Sequence, residues 1–346
     1  MSTFPRFRSW RVVEVTAGFG AAMLAGKLLA DLGCPVDSVA LEPPDDTEAE
    51  LFALAAGGKR PLVPHWQDRD ALAALLDRAE ILVADREGLL RLREALGTPD
   101  LCESFPALTV CACTWFGMEG PMAHWHGSEE IVQAVTGIMS VTGHADGTPT
   151  RIASAPIATA AAMYAVTSAI AAVLRRHDGE PSRLLDVSAY DAALSFHSSS
   201  LPVYFLSGKA PGGVGNRHRM WAPWNSFRCA DGWVIVCTGS HANWVRLCET
   251  MGRSELPAHP LYEKPADRIA NVDALEAEIT AWTSQRPVAQ VERLLNDASI
   301  AAASIVPLHD VLTHSQFSQR HLLDASGRRA GGVFHLNREP LEPFRG

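Results

Sequence analysis

The stretch Val12-Val13-Glu14-Val15-Thr16-Ala17-Gly18-Phe19-Gly20-Ala21-Ala22 decides the fold. Its β-branched start reads as a short strand over 12–15, its glycines as a turn, and the small and aliphatic residues over 21–32 as a tightly packed helix ending at Gly33. A second strand follows over 36–41. The same order recurs with a helix over 72–78, a strand over 81–84, a helix over 89–95 and a strand over 108–114. Apolar runs without polar alternation suit strands buried on both faces. The expectation is therefore an α/β fold whose large, Rossmann-like domain is a parallel sheet covered by helices.

In such a sheet, ligands bind beyond the carboxyl ends of the strands, where a helix N-terminus can hold phosphate. The turn offers Gly18 and Gly20 but lacks the third glycine of a dinucleotide fingerprint, and Glu42 at the end of the second strand runs into Pro43-Pro44. A nicotinamide cofactor is not expected from so incomplete a pattern.

From about Ser195 the texture changes to serines, glycines and prolines, which places a linker over 196–225 between a large domain, 1–195, and a smaller α/β domain, 226–310. The smaller domain reads as a strand over 233–238, helices over 244–251, 272–282 and 288–298, and a further strand starting at Ile305-Val306. A return linker occupies 311–346.

Composition narrows the function. The formal charge of −9 and the scattered lysines and arginines argue against a nucleic-acid partner, which needs clustered cations to neutralise phosphates. The seven cysteines are widely spaced in apolar runs, the pattern of reduced core thiols and of a cytoplasmic protein. Cys111 and Cys113 share one face of a strand, and no second ligand pair follows at zinc spacing. No export signal or membrane partner is expected. The nearest approach to a membrane-length run, 153–174, is alanine-rich, contains Pro156 near its start, and reads as a buried helix.

Several stretches in order resemble the family III CoA-transferases of the CaiB/BaiF type, which include formyl-CoA transferase and α-methylacyl-CoA racemase relatives. They are Leu41-Glu42-Pro43-Pro44-Asp45-Asp46, Gly58-Lys59-Arg60, Trp115-Phe116-Gly117-Met118-Glu119-Gly120-Pro121, Gln133-Ala134-Val135-Thr136-Gly137 with its continuation to Gly143, Asp186-Val187-Ser188, Gly215-Asn216, Ala222-Pro223 and Asp231-Gly232-Trp233. The resemblance implies two chains interlocked as linked rings, and a reaction that moves CoA from an acyl-CoA to a free carboxylate. It involves no covalently bound cofactor, with CoA or acyl-CoA as substrate. In that chemistry an aspartate attacks the thioester to give a mixed anhydride, and glycine-loop N–H groups hold the oxyanion.

The family aspartate lies in a segment that here reads Ala155-Pro156-Ile157-Ala158-Thr159, so Thr159 takes its place. A threonine hydroxyl forms no anhydride, and without a base it is a weak nucleophile, so a packed structural role is expected for it. The racemase branch has a histidine after the glycine where this chain has Gly127-Ser128. His124, His126, Glu129 and Glu130 crowd that loop and read as surface or pocket lining rather than a metal or acid–base cluster. The lysine and arginine usual in the family are replaced by Ala40 and Trp125; Lys59, Arg60, Arg86, Arg151 and the Gly117 loop remain as contacts for CoA. The resemblance also implies a C-terminal tail beyond Pro343-Phe344-Arg345-Gly346, so the expected ring is incomplete or is completed by another partner.

Three readings follow, in order of preference. The chain is the non-nucleophilic subunit of a heteromeric CoA-transferase, with a paralogue supplying the aspartate in place of a homodimer. Alternatively, it is a stand-alone enzyme using Glu129, His126 or His241 as acid or base. As a third reading, it is a non-catalytic binding or regulatory protein.

Overall fold

The structure, a computed structural model, describes residues 7–42, 52–63, 65–320, 334–336 and 339–340. The chain divides into two compact units, one drawing on 1–141, 149–211 and 315–346 and the other on 142–148 and 212–314.

The first unit is built on a six-stranded sheet in the order β3-β2-β1-β4-β5-β6. The strands are β1 (Val12–Thr16), β2 (Val36–Ala40), β3 (Arg60–Leu62), β4 (Ile81–Ala84), β5 (Thr109–Thr114) and β6 (Leu184–Ser188), and every pair is parallel. Val12 lies opposite Val36 on one side and Ile81 on the other, so β1 is central and the strand order reverses beside it. That reversal opens a crevice at the carboxyl ends. β1, β4 and β5 are buried along their whole length, as their uninterrupted apolar runs required.

Helices α1 (Ala21–Asp31), α2 (Arg69–Asp77), α3 (Arg86–Leu96) and α4 (Glu129–Val135) connect the strands, and the long α5 (Pro156–His177) precedes β6. Proline at its first position fits α5 as a start, since that N–H has no partner inside the helix. Ala25 of α1 and Ala161, Ala162 and Ala165 of α5 belong to one buried cluster over one face of the sheet, where small side chains let the two helices approach closely. Leu72 and Leu76 of α2 and Leu89 and Leu92 of α3 fill the other face. Each fully buried leucine there contributes about 1.5–3 kcal/mol.

α5 is long and apolar enough to cross a membrane by length and composition. The sequence predicts it as buried; the structure buries only one stripe, including Ile157, Ala161, Ala165 and Val173, while Met163 and Tyr164 are 58% and 48% exposed. The expected linker also differs, because it holds helix α7 (Ser200–Ser207) behind a short α6 (Ala189–Leu194), and the division between units falls after Pro211. Helical hydrogen bonds satisfy the backbone there in spite of the serines.

The second unit has an antiparallel sheet of β7 (Trp224–Arg228), β8 (Trp233–Cys237) and β9 (Ala301–Ser304) with helices α8 (His241–Met251), α9 (Val272–Thr283) and α10 (Val288–Asp297). Trp244, Phe227, Leu247, Leu275 and Leu295 form its core. The strand expected to start at Ile305-Val306 instead ends at Ser304; Ile305 donates its N–H to the Trp233 carbonyl and leaves its side chain half exposed. Alternating exposure along Ala301–Ser304 marks an edge strand, which small residues disguise in sequence.

Candidate functional site

A cleft of about 400 Å³ lies beyond the carboxyl ends of β1, β4 and β5, lined by the 17–22 turn, Asp85, Glu87, Thr114, Trp115 and residues 126–128. Gly127 shapes its wall: a Cβ there would sit 2.2 Å from Trp115 Cγ, so the backbone closes on the ring only where no side chain intervenes. Phe19 stacks on Phe52 with centroids 5.3 Å apart at the rim.

Asp85 ties the cleft together. Its Oδ2 accepts the Ala17 N–H at 2.6 Å and its Oδ1 the Gly88 N–H at 2.7 Å, so it caps α3 and fixes the loop after β1 at once. Burial pushes its carboxyl up to about 6, against the lowering effect of those two N–H groups. α3 begins this close to β1 because Gly88 has no Cβ; one there would lie 2.4 Å from the Val15 carbonyl oxygen. The sequence reading did not single out Asp85. The signal available was an aspartate just before a helix, with Gly88 at its third helical position.

At the corner between α4 and α5, Glu129 is buried and accepts N–H groups from Ile157 at 3.1 Å and Ala158 at 2.9 Å, and the Gln133 amide at 3.0 Å. Its side chain is thus held at the N-terminus of α5, where it meets backbone N–H groups that have no partner inside the helix. Gln133 in turn clamps both the N–H and the carbonyl of Ile152. Ser128 caps α4 through the Ile131 N–H. Thr159 is exposed on the first turn of α5, not packed, and its hydroxyl donates to the Ala155 carbonyl at 2.8 Å. The packed role expected for it is therefore corrected, since this position faces outward from the buried stripe of the helix.

The cations expected to meet CoA are distributed differently. Lys59 lies under β1, its ammonium 2.5 Å from Glu14 Oε2 and 2.7 Å from the Met23 carbonyl, with both charged side chains almost wholly buried. Ser38 completes the pair by donating to Glu14 at 2.7 Å. Burial pushes the Glu14 carboxyl up and the Lys59 ammonium down from their ordinary values, each opposed by the attraction of the other. Arg60 donates to Asp37 through Nε at 2.6 Å and Nη2 at 2.5 Å, its neighbour across β2 and β3. Arg86 reaches the Met118 carbonyl at 3.3 Å beside the cleft, and exposed Arg151 pairs loosely with Glu130 at 3.5 Å. Gly117 takes a left-handed φ of 93° to turn the 115–121 loop, and its N–H meets Thr114 Oγ1 at 2.7 Å.

His126 lines the cleft. His241 opens α8 in the second unit, where Ser240 is the cap, whereas His126, Glu129 and Thr159 belong to the first. Among the described residues, no group of three His, Cys, Asp or Glu side chains gathers to hold a metal. All seven cysteines are free thiols.

Comparison with known proteins accounts for this architecture. The chain is 30% identical over 318 residues to an acetyl-CoA:oxalate CoA-transferase of Acetobacter aceti, covering 87% of this chain and 81% of that protein. It is 28% identical over 344 residues to a succinyl-CoA:mesaconate CoA-transferase of Haloarcula marismortui, covering 93% and 85%. The crystal structure of a CaiB/BaiF family protein from Brucella suis superposes with a TM-score of 0.85 at 24% identity, covering 100% of this chain and 96% of that one, which shows a shared fold. Residues 8–342 match the sequence profile of CoA-transferase family III, and the chain belongs to that family.

Proposed function

We propose that this chain is the non-nucleophilic subunit of a heteromeric CoA-transferase, acting with a paralogue that carries the attacking aspartate. The observation that carries the reading is the α5 corner. At the position of the family aspartate, Thr159 offers a hydroxyl bonded to its own helix, and the neighbouring carboxylate of Glu129 is engaged by the N–H groups of Ile157 and Ala158. A nucleophilic hydroxyl needs an adjacent base to take its proton, and the hydrogen bond of Thr159 runs to a backbone carbonyl instead. The acyl donor and acceptor would be an acyl-CoA and a free carboxylic acid, as in the transferases of A. aceti and H. marismortui.

A partner surface supports the assembly. On α7, Tyr204, Phe205 and Leu206 are 46%, 76% and 89% exposed, Phe196 in the helical turn before α7 is 47% exposed, and α5 presents Met163 and Tyr164. An apolar surface of this kind marks a protein interface. An interlocked dimer or heteromer covering it fits, as does a cytoplasmic site in which the thiols stay reduced.

The test is to purify the chain gently from its native source and identify by mass spectrometry what remains bound. A stoichiometric family III paralogue with an aspartate in the Thr159 position is expected, with transfer activity only in the mixture. Transfer by the isolated chain would overturn the reading. A second reading, acid–base chemistry by this chain alone, is favoured by one observation. Asp85, with its carboxyl raised to about 6, and His126 line the same cleft. Turnover by the isolated chain that disappears in Asp85→Asn or His126→Gln would establish it.

A further inference from the structure

At the opposite end of the sheet from the cleft, a second cavity of about 710 Å³ lies against the amino ends of β1, β2 and β3. Its size falls within the roughly 300–1,000 Å³ of small-molecule sites. Arg8, Arg11 and Arg60 line it together with Lys59, against the single carboxylate of Asp37. The lining thus gathers positive charge in a chain whose net charge is −9.

The cations are not equivalent. Lys59 is neutralised within the fold by Glu14, and Arg60 shares its charge with Asp37. Arg8 and Arg11 have no ion-pair partner among the described residues. Their backbone is nevertheless held in place. Trp10 between them is 4% exposed, packs edge-on against Phe7 at 4.9 Å, and bonds its N–H to the Phe7 carbonyl. The Arg11 carbonyl accepts N–H groups from both Glu80 and Ile81. Two uncompensated guanidinium groups on a fixed frame, with a third across the hollow, match a ligand with several anionic oxygens, which guanidinium forks bind in bidentate fashion.

We propose that this cavity binds a phosphate-bearing small molecule at a site separate from the carboxyl-end cleft. The proposal does not rest on the heteromer reading, because it concerns binding alone. Neither Arg8 nor Arg11 takes part in the transfer chemistry described above.

Isothermal titration of the full chain with inorganic pyrophosphate and with ADP tests it, in low and in moderate salt. Saturable one-to-one binding is expected, weakening as salt rises. The double variant Arg8→Ala/Arg11→Ala should weaken it at least about 10-fold, the effect of losing charge-assisted hydrogen bonds, while Arg293→Ala, an exposed arginine of the second unit, should leave it unchanged. Both variants replace exposed side chains, and their circular dichroism is to match that of the native chain before binding is compared. Absence of saturable binding, equal loss in the Arg293→Ala control, or unchanged affinity in the double variant would each overturn the proposal. So would displacement of pyrophosphate by acetyl-CoA, which would make the cavity part of the acyl-CoA site; unchanged pyrophosphate affinity in saturating acetyl-CoA supports a separate one.

Discussion

The two ends of the parallel sheet carry opposite chemistry. Beyond the carboxyl ends, the cleft holds Asp85, Glu87 and His126 among aromatic and glycine residues, with no lysine or arginine among its described lining. Beyond the amino ends of β1 to β3, the cavity gathers Arg8, Arg11 and Arg60. A doubly wound sheet ordinarily meets phosphates at its carboxyl end, so here the charge sits at the other end from the fold's usual ligand site. Between the two, Glu14 and Lys59 form an ion pair buried in the sheet. The difference teaches that a fold fixes where a crevice opens, while a few side chains decide what charge it welcomes.

Breaking the central pair should have the largest effect. Lys59→Met leaves the Glu14 carboxylate buried without a counter-ion, and a loss of about 3–5 kcal/mol is expected in chemical denaturation. A loss below about 1 kcal/mol would refute a structural role for the pair. Next, Glu129→Ala orphans the Ile157 and Ala158 N–H groups and the Gln133 amide, and should cost about 2–3 kcal/mol. Glu129→Gln, which keeps an acceptor, should recover most of that.

Asp85 sharpens the carboxyl end. Asp85→Ala should cost about 1 kcal/mol by removing the cap of α3. The sign of its pH dependence follows from the raised value. With the folded carboxyl at about 6 against an ordinary 3.8, the folded chain holds this proton more tightly, so the contribution of the group is fully present below about pH 4 and is lost as pH rises through 6. Stability measured from pH 4 to 6 should fall less steeply in Asp85→Asn than in the native chain; parallel curves would refute the shift. The smallest effect is expected from Thr159→Asp. An added carboxylate on the first turn of α5 should change stability by less than about 1 kcal/mol. Incubated with an acyl-CoA, this variant would form a covalent CoA adduct if the acyl-CoA pocket is otherwise intact, which intact-mass spectrometry reads directly.

Much of the fold was legible in the sequence. The apolar runs of β1, β4 and β5 and the small-residue face of α1 each express burial in a local period. β9 was misplaced because Ala301–Ser304 carries no large residue to show its alternation, and α7 was hidden in a serine-rich stretch that reads as a connection. The site was less legible. His126 lines the cleft and Glu129 accepts N–H groups at the start of α5, while Asp85, which carries no motif, is recognised only through the backbone groups it holds.

Sequence by itself determined the alternation of strands and helices over β1 to β5, the ordered motifs of the family and the threonine at position 159, because each is written in neighbouring residues. Only the tertiary structure decided which charges are free. Lys59 meets Glu14 across 45 positions, Asp85 meets Ala17 across 68, and Glu129 meets Ala158 across 29. No local period records such pairings. They are set by which backbones the packed core brings within hydrogen-bond reach, and by the cost of burying a charge that lacks a partner.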